Sequence, residues 1–212
     1  MKKVIILGAH GKIAQIVTRQ LLTEDIKQTL FLRNSARLRL EDPEKESIVE
    51  GTATSLFDLE QAMTDVDIVY ANLAGKIVEE AQNVVAAMKA KNVKRLIWIS
   101  TLGIYDEVPG KYGEWNHEQL DGGYLESYAE AAKVIEASGL DYTIIRPAWL
   151  DDKDEIDYEL TNKDETFKGT EVSRTSVADL VTKIILDPKE YIGTSLGVNK
   201  PNTDGDKPAW YR

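Results

Sequence analysis

Short apolar runs alternate with amphipathic stretches along almost the whole chain. The runs at 3–7, 28–33, 67–71, 94–100, 141–145 and 194–198 are rich in β-branched and aromatic residues and nearly continuous in apolar character. That is the pattern of strands buried on both faces. The stretches between them, at 12–23, 58–64, 77–90 and 124–138, carry helical periodicity; in 77–90 the residues Ile77, Ala81, Val84, Val85 and Met88 fall on one stripe. A last helix is expected over 175–187, opened by Thr175 or Ser176 and closed before Pro188. Strands and helices in alternation predict an α/β fold, a doubly wound parallel sheet with helices on both faces. The one strong shift in composition is 151–170, acidic and read as a loop. It is expected to divide a core over 1–150 from a small C-terminal lobe over 151–212. No internal repeat or low-complexity tract interrupts the chain.

Composition narrows the chemistry. At 212 residues the chain fits one domain with a core of its own. There are no cysteines and only two histidines, His10 and His117, so thiolate chemistry is excluded and no metal site is expected. The opening apolar run Val4–Leu7 is too short for a signal peptide, and nothing approaches the ~20 apolar residues of a membrane span; a cytoplasmic location is expected. The formal net charge is −10. A surface that negative repels phosphate backbones and anionic lipid, so neither nucleic acid nor membrane is expected as a partner. Any bound phosphate needs a local device that overrides this field.

Such a device stands at the end of the first strand. The run 3–7 leads at once into Gly8-Ala9-His10-Gly11-Lys12-Ile13-Ala14 and then a helix. Gly8 permits the tight turn, Gly11 lets the backbone approach a pyrophosphate, and Ala14 is small enough for close packing of helix on strand. The helix N-terminus then offers free N–H groups and positive dipole to phosphate. This is a Rossmann dinucleotide site, with Gly8, His10, Gly11, Lys12 and Ile13 at the cofactor. His10 is either a phosphate or ribose contact or an exposed loop residue. The second strand ends Phe31-Leu32-Arg33-Asn34, and no carboxylate follows until Glu41. An acidic residue at this point would select the free ribose of NAD; Arg33, helped by Lys12, suits a 2′-phosphate. The expected cofactor is NADP, with NAD possible.

The motifs GAHGKIA at 8–14, LFLRN at 30–34, NLAG at 72–75, LIWISTLGIYDEVPG at 96–110, SGLDYTIIRPAWL at 138–150 and SRTSVADLV at 173–181 stand in an order and spacing that resembles a known family. It is the atypical short-chain dehydrogenase/reductase group, which includes NmrA-like regulators and biliverdin-IXβ/flavin reductases. The resemblance covers nearly the whole chain. It implies that Leu73, Ala74 and Gly75 line the cofactor, that Ser100 lies beside the nicotinamide ribose, and that Pro147 and Ala148 lie near the nicotinamide. Related sequences carry an aspartate at the adenine contact where this chain has Thr52.

The catalytic reading turns on Tyr124 and Tyr128. Ordinary members of the wider family use Tyr-x-x-x-Lys, because a phenol of pKa near ~10 needs an adjacent ammonium to work at neutral pH. Here the lysine position holds Tyr128, and Lys133 is turned about 140° round the helix from it. Thr101 and Tyr124 remain as candidate catalytic hydroxyls. Without the dyad, hydride delivery to a planar, conjugated small-molecule acceptor such as a flavin or quinone fits better than alcohol oxidation. Tyr105, Tyr112 and Trp115 in 105–117, read as a loop, and Trp149 are either a stacking wall for that acceptor or packing against the C-terminal lobe. The alternative function is a non-catalytic, NmrA-like sensor of the cofactor's redox state. A monomer or homodimer is expected.

Overall fold

The computed structural model describes residues 1–211. Six helices and ten strands alternate along these residues: β1 (Lys2–Leu7), α1 (Lys12–Leu21), β2 (Ile26–Leu32), β3 (Glu46–Glu50), α2 (Leu56–Ala62), β4 (Ile68–Ala71), α3 (Ile77–Ala90), β5 (Arg95–Ile99), α4 (Gly110–Gln119), α5 (Tyr124–Glu136), β6 (Asp141–Pro147), β7 (Trp149–Asp151), β8 (Glu159–Thr161), β9 (Glu171–Ser173), α6 (Arg174–Leu186) and β10 (Thr194–Asn199). The main sheet runs β3-β2-β1-β4-β5-β6-β10-β8. All neighbours are parallel except β8, which runs antiparallel to β10. The fold is the doubly wound α/β sheet that the alternation predicts.

Strand alternation explains why both faces are covered. Val4 and Ile6 of β1 enter one core with Ile13, Ala14, Val17 and Leu21 of α1 and Val177, Val181 and Ile184 of α6. Ile5 and Leu7 enter the other with Leu59 of α2, Ala81 and Val84 of α3, and Ala131 and Ile135 of α5. The same division repeats in β4, where Ile68 and Tyr70 face one way and Val69 and Ala71 the other. Each wholly buried isoleucine or leucine contributes about 1.5–3 kcal/mol, so a central strand buried on both faces anchors both layers at once.

Three readings of the sequence are corrected. The stretch 105–117 is not simply a loop: α4 occupies Gly110–Gln119, although two glycines in GKYGEWNHEQ weaken its helical signature. The stretch 151–170 contains β8, and β3 is a further strand; both are short and half polar, as edge strands commonly are. The cap of α6 is Ser173, whose hydroxyl accepts from the Ser176 amide at 2.9 Å.

Between β5 and β6 a buried ion pair closes the sheet's upper edge. Arg146, with no side-chain exposure, bonds to Glu107, whose side chain is 3% exposed. Glu107 also accepts from the amides of Gly103 and Tyr105 at 3.0 Å each. Arg146 further donates to the Ser195 hydroxyl at 3.0 Å. This network fixes the segment after β5, and hence the wall of the site that it leads into.

Candidate cofactor and substrate clefts

The sheet order reverses between β1 and β4, the place where open α/β sheets form a crevice at their strand ends. One cleft opens there, of about 270 Å³, bordered by the glycine loop and the ends of β2, β3 and β4. The loop is fixed by its backbone. The Gly8 and Ala9 amides donate to the Phe31 carbonyl at 3.0 and 3.2 Å, and the Gly11 amide donates to the Gly8 carbonyl at 2.9 Å. Gly8 has φ +74°, and a Cβ there would lie 2.2 Å from the Asn72 carbonyl oxygen. A Cβ on Gly11 would lie 2.1 Å from Asn72 Nδ2. Gly8 therefore excludes a side chain sterically, whereas one at Gly11 would have to displace the Asn72 amide, and Asn72 is a wall of the site that the glycine spacing alone does not reveal. Gly11 caps α1 without a side-chain hydrogen bond, and no acidic residue stands in the first turn. The N–H groups and positive dipole of that turn fit a phosphate.

Six of the predicted cofactor residues border this cleft together: Gly8, His10, Gly11, Arg33, Leu73 and Ala74. His10 is held below the usual imidazole range by burial first, then by Arg37 and Arg33. Two arginines beside a neutral imidazole make the end of β2 a positive spot on a negatively charged protein. Of the other five, Lys12, Ile13 and Gly75 border neither this cleft nor the second one, at the ends of β5 and β6. Lys12 Nζ pairs with Asp152 at 2.7 Å, and Arg174 holds the other oxygen of that carboxylate at 2.7 Å. The lysine hydrogen bond keeps the Asp152 carboxyl below its ordinary range. The Ile13 side chain is buried in the core under α1. Gly75, at φ +120°, shapes the turn after β4 and is not a wall of the cleft.

A second cleft lies further along the same edge, between the ends of β5 and β6. Ser100, Thr101, Pro147 and Tyr124 meet there with Leu102, Leu120, Trp149 and Leu150. The Ser100 amide donates to the Ile145 carbonyl at 2.7 Å, which places its side chain at the mouth. Its buried hydroxyl has no hydrogen-bond partner among the described residues. Tyr124 is 39% exposed, whereas Tyr128, 6% exposed, packs beneath it with the rings tilted by 32° and their centroids 4.5 Å apart. Burial, then Tyr124 and Glu80, push the Tyr128 hydroxyl well above the usual phenol range. Among the described residues no ammonium takes the place of the missing lysine there.

The aromatic residues divide between wall and packing. Trp149 borders the second cleft, and its indole N–H donates to Asn116 Oδ1 at 2.9 Å. Trp115 packs behind it at 4.7 Å and meets Tyr211 at 4.9 Å. Tyr112 is buried and donates to the Thr170 carbonyl at 3.0 Å. Tyr105 turns away to Glu136 at 2.9 Å. Neither of these tyrosines borders the second cleft.

Comparison with known proteins agrees with this geometry. The profile of the NAD(P)H-binding family matches residues 8–188. A Rossmann-fold NAD(P)-binding family protein from Shigella flexneri is 48% identical over 100% of both chains, with a TM-score of 0.85. A short-chain dehydrogenase/reductase from Veillonella parvula, solved in complex with NADP, is 34% identical over 99% of each chain, with a TM-score of 0.93. An anaerobilin reductase from Escherichia coli O157:H7 shares the fold at 15% identity, over 96% of this chain and 100% of its own, with a TM-score of 0.80. The glycine loop at a reversed sheet order, the family match and these relatives together show that the chain belongs to the NAD(P)H-binding family of the short-chain dehydrogenase/reductase group.

Proposed function

We propose that the protein is an NADP(H)-dependent reductase that delivers hydride to a flat, conjugated acceptor. The observation that carries this reading is the pair of clefts on one sheet edge. One has the glycine loop with Arg33; the other, largely apolar, has Ser100, Thr101, Tyr124 and Trp149. A dinucleotide laid across the switch point would have its 2′-phosphate at Arg33 and its nicotinamide at Pro147 and Ser100. When bound, the cofactor supplies hydride. The chain's own residues do the rest by binding and orienting the two partners. Trp149 offers a face for stacking, and Leu102, Leu120 and Leu150 exclude water. The Thr101 and Tyr124 hydroxyls stand where they can donate to a carbonyl or ring nitrogen of the acceptor. Because Tyr128 replaces the lysine, Tyr124 has no ammonium to make it a base at neutral pH. Reduction of an acceptor that takes its proton from water or a neutral hydroxyl is the chemistry that this arrangement favours.

The NADP-bound relative at 34% identity supports the cofactor assignment. Steady-state oxidation of NADPH against a panel of flavins and quinones tests the proposal. Turnover with at least one acceptor is expected, and its reduction by Trp149→Ala would place the acceptor in the second cleft. The absence of turnover above background with every acceptor would favour the second reading, a redox-sensing binding protein, which the missing ammonium at Tyr128 also supports.

A further inference from the structure

Glu80 is a buried carboxyl with no structural task in view. It lies in the first turn of α3, is 8% exposed, and borders the cofactor cleft. Its Oε2 atom has no hydrogen-bond partner among the described residues. A buried acceptor left unpaired costs on the order of 1–3 kcal/mol, more when charged, so a side chain held in that state points to a donor that arrives with a ligand.

The place of Glu80 on α3 identifies that donor. Asn83, one turn further along the same face, donates from Nδ2 to the Ala53 carbonyl at 3.2 Å, which ties this face of α3 to the loop after β3. Glu80 shares the cleft wall with Gly51, Thr52 and Ala53 of that loop. The loop has no acceptor side chain to spare. Thr52 Oγ1 is engaged with Thr54 Oγ1 at 2.9 Å and accepts from the Thr54 amide at 3.3 Å, while the Thr52 amide is taken by Asp58 at 3.0 Å. Glu80 is the one carboxyl that lines this cleft among the described residues, and it does so together with the apolar side chains of Phe31, Leu32 and Ala53. An apolar slot with one acceptor at its edge fits a flat heterocycle that carries an amino group. Arg33, at the end of β2, Glu79, its neighbour on α3, and Tyr128, on α5, are the other polar neighbours that act on the carboxyl, and none hydrogen-bonds to its Oε2 atom.

We propose that Glu80 recognises the adenine base of the dinucleotide by accepting a hydrogen bond from its 6-amino group. The proposal rests on the reading of this cleft as the cofactor site. It gives the chain a determinant of base identity separate from Arg33, which reads the phosphate.

The test compares NADP with its purine analogue, in which hydrogen replaces the 6-amino group and N1 keeps its lone pair, by titration calorimetry at pH 8. The analogue offers no donor at that position, so the carboxylate stays unpaired. The wild type should bind NADP at least about tenfold more tightly than the analogue. Glu80→Leu keeps the approximate volume and removes both acceptor oxygens. The variant should bind the two dinucleotides within about twofold, mainly through a loss of affinity for NADP. Equal binding of both by the wild type would overturn the proposal. So would a Glu80→Leu variant that keeps the full difference, the result expected if the carboxyl held ribose rather than base. If the wild type binds neither dinucleotide, the cofactor reading falls with it, and that outcome is recognisable by itself.

Discussion

At Gly8, sterics and function demand the same residue. Its φ of +74° disfavours any side chain, and an added Cβ would meet a backbone oxygen that cannot swing away. Gly8→Ala should therefore lower the melting temperature by several degrees, since each kcal/mol shifts a domain of this size by roughly 2–4 °C, and it should also abolish NADP binding. Arg33→Ala is expected to leave the melting temperature nearly unchanged while reducing the preference for NADP over NAD by about tenfold to a hundredfold. A calorimetric comparison of the two cofactors checks this; an unchanged preference would remove Arg33 from the 2′-phosphate. Glu80 makes a prediction of opposite kind, without ligand. Burial raises its carboxyl above the ordinary range. The folded state thus holds the proton more tightly than the unfolded chain, and this contribution to stability is present at low pH and lost as pH rises through the folded-state value. Glu80→Gln should melt at a higher temperature than the wild type at pH 8, with the difference shrinking towards pH 4. Equal differences at both pH values would contradict it. The glycines and Arg33 were legible in the sequence because turn and strand end are local. Asn72 and Glu80 were not, because helical and strand periodicity shows which residues face the core but not which polar residue faces a cleft built by another loop.

At the scale of elements, the Arg146–Glu107 pair joins β6 to the segment after β5, and both charges are almost wholly removed from water. Removing one partner of such a pair leaves the other charge uncompensated, at a cost of about 3–5 kcal/mol. Glu107→Ala should lower the urea midpoint accordingly and loosen the wall formed by Ser100 to Leu102. A loss under about 1 kcal/mol would show that water reaches Arg146. The long apolar strands and α3, α5 and α6 were legible because burial on both faces of a sheet leaves continuous apolar runs and regular stripes. The elements that escaped were β3, β7, β8, β9 and α4. The strands have only a few residues and mixed polarity, and α4 keeps Tyr112, Gly113 and Asn116 buried on a face with no aliphatic stripe. Their placement depends on neighbours distant in sequence, which local periodicity does not encode.

For the molecule as a whole, the two clefts are separate pieces of one edge, and the sheet order aligns them. The first has its glycine loop and Arg33 in one strand–turn–helix and the next strand end, and takes its remaining walls from the segments after β3 and β4. The second draws on segments near residues 100, 120, 124 and 148, brought together only by the parallel pairing of β5 and β6. The net charge of −10 acts against any dinucleotide at long range, so affinity must come from the local N–H groups of α1 and from Arg33. No helix among the described residues is long and apolar enough to cross a membrane. The account stands or falls on which dinucleotide occupies the switch point. Titration of the wild-type protein with NADPH and NADH under identical salt and pH tests it most directly. The account predicts saturable binding of both, with NADPH tighter by about tenfold or more. Equal affinities, a preference for NADH, or no binding of either would contradict it.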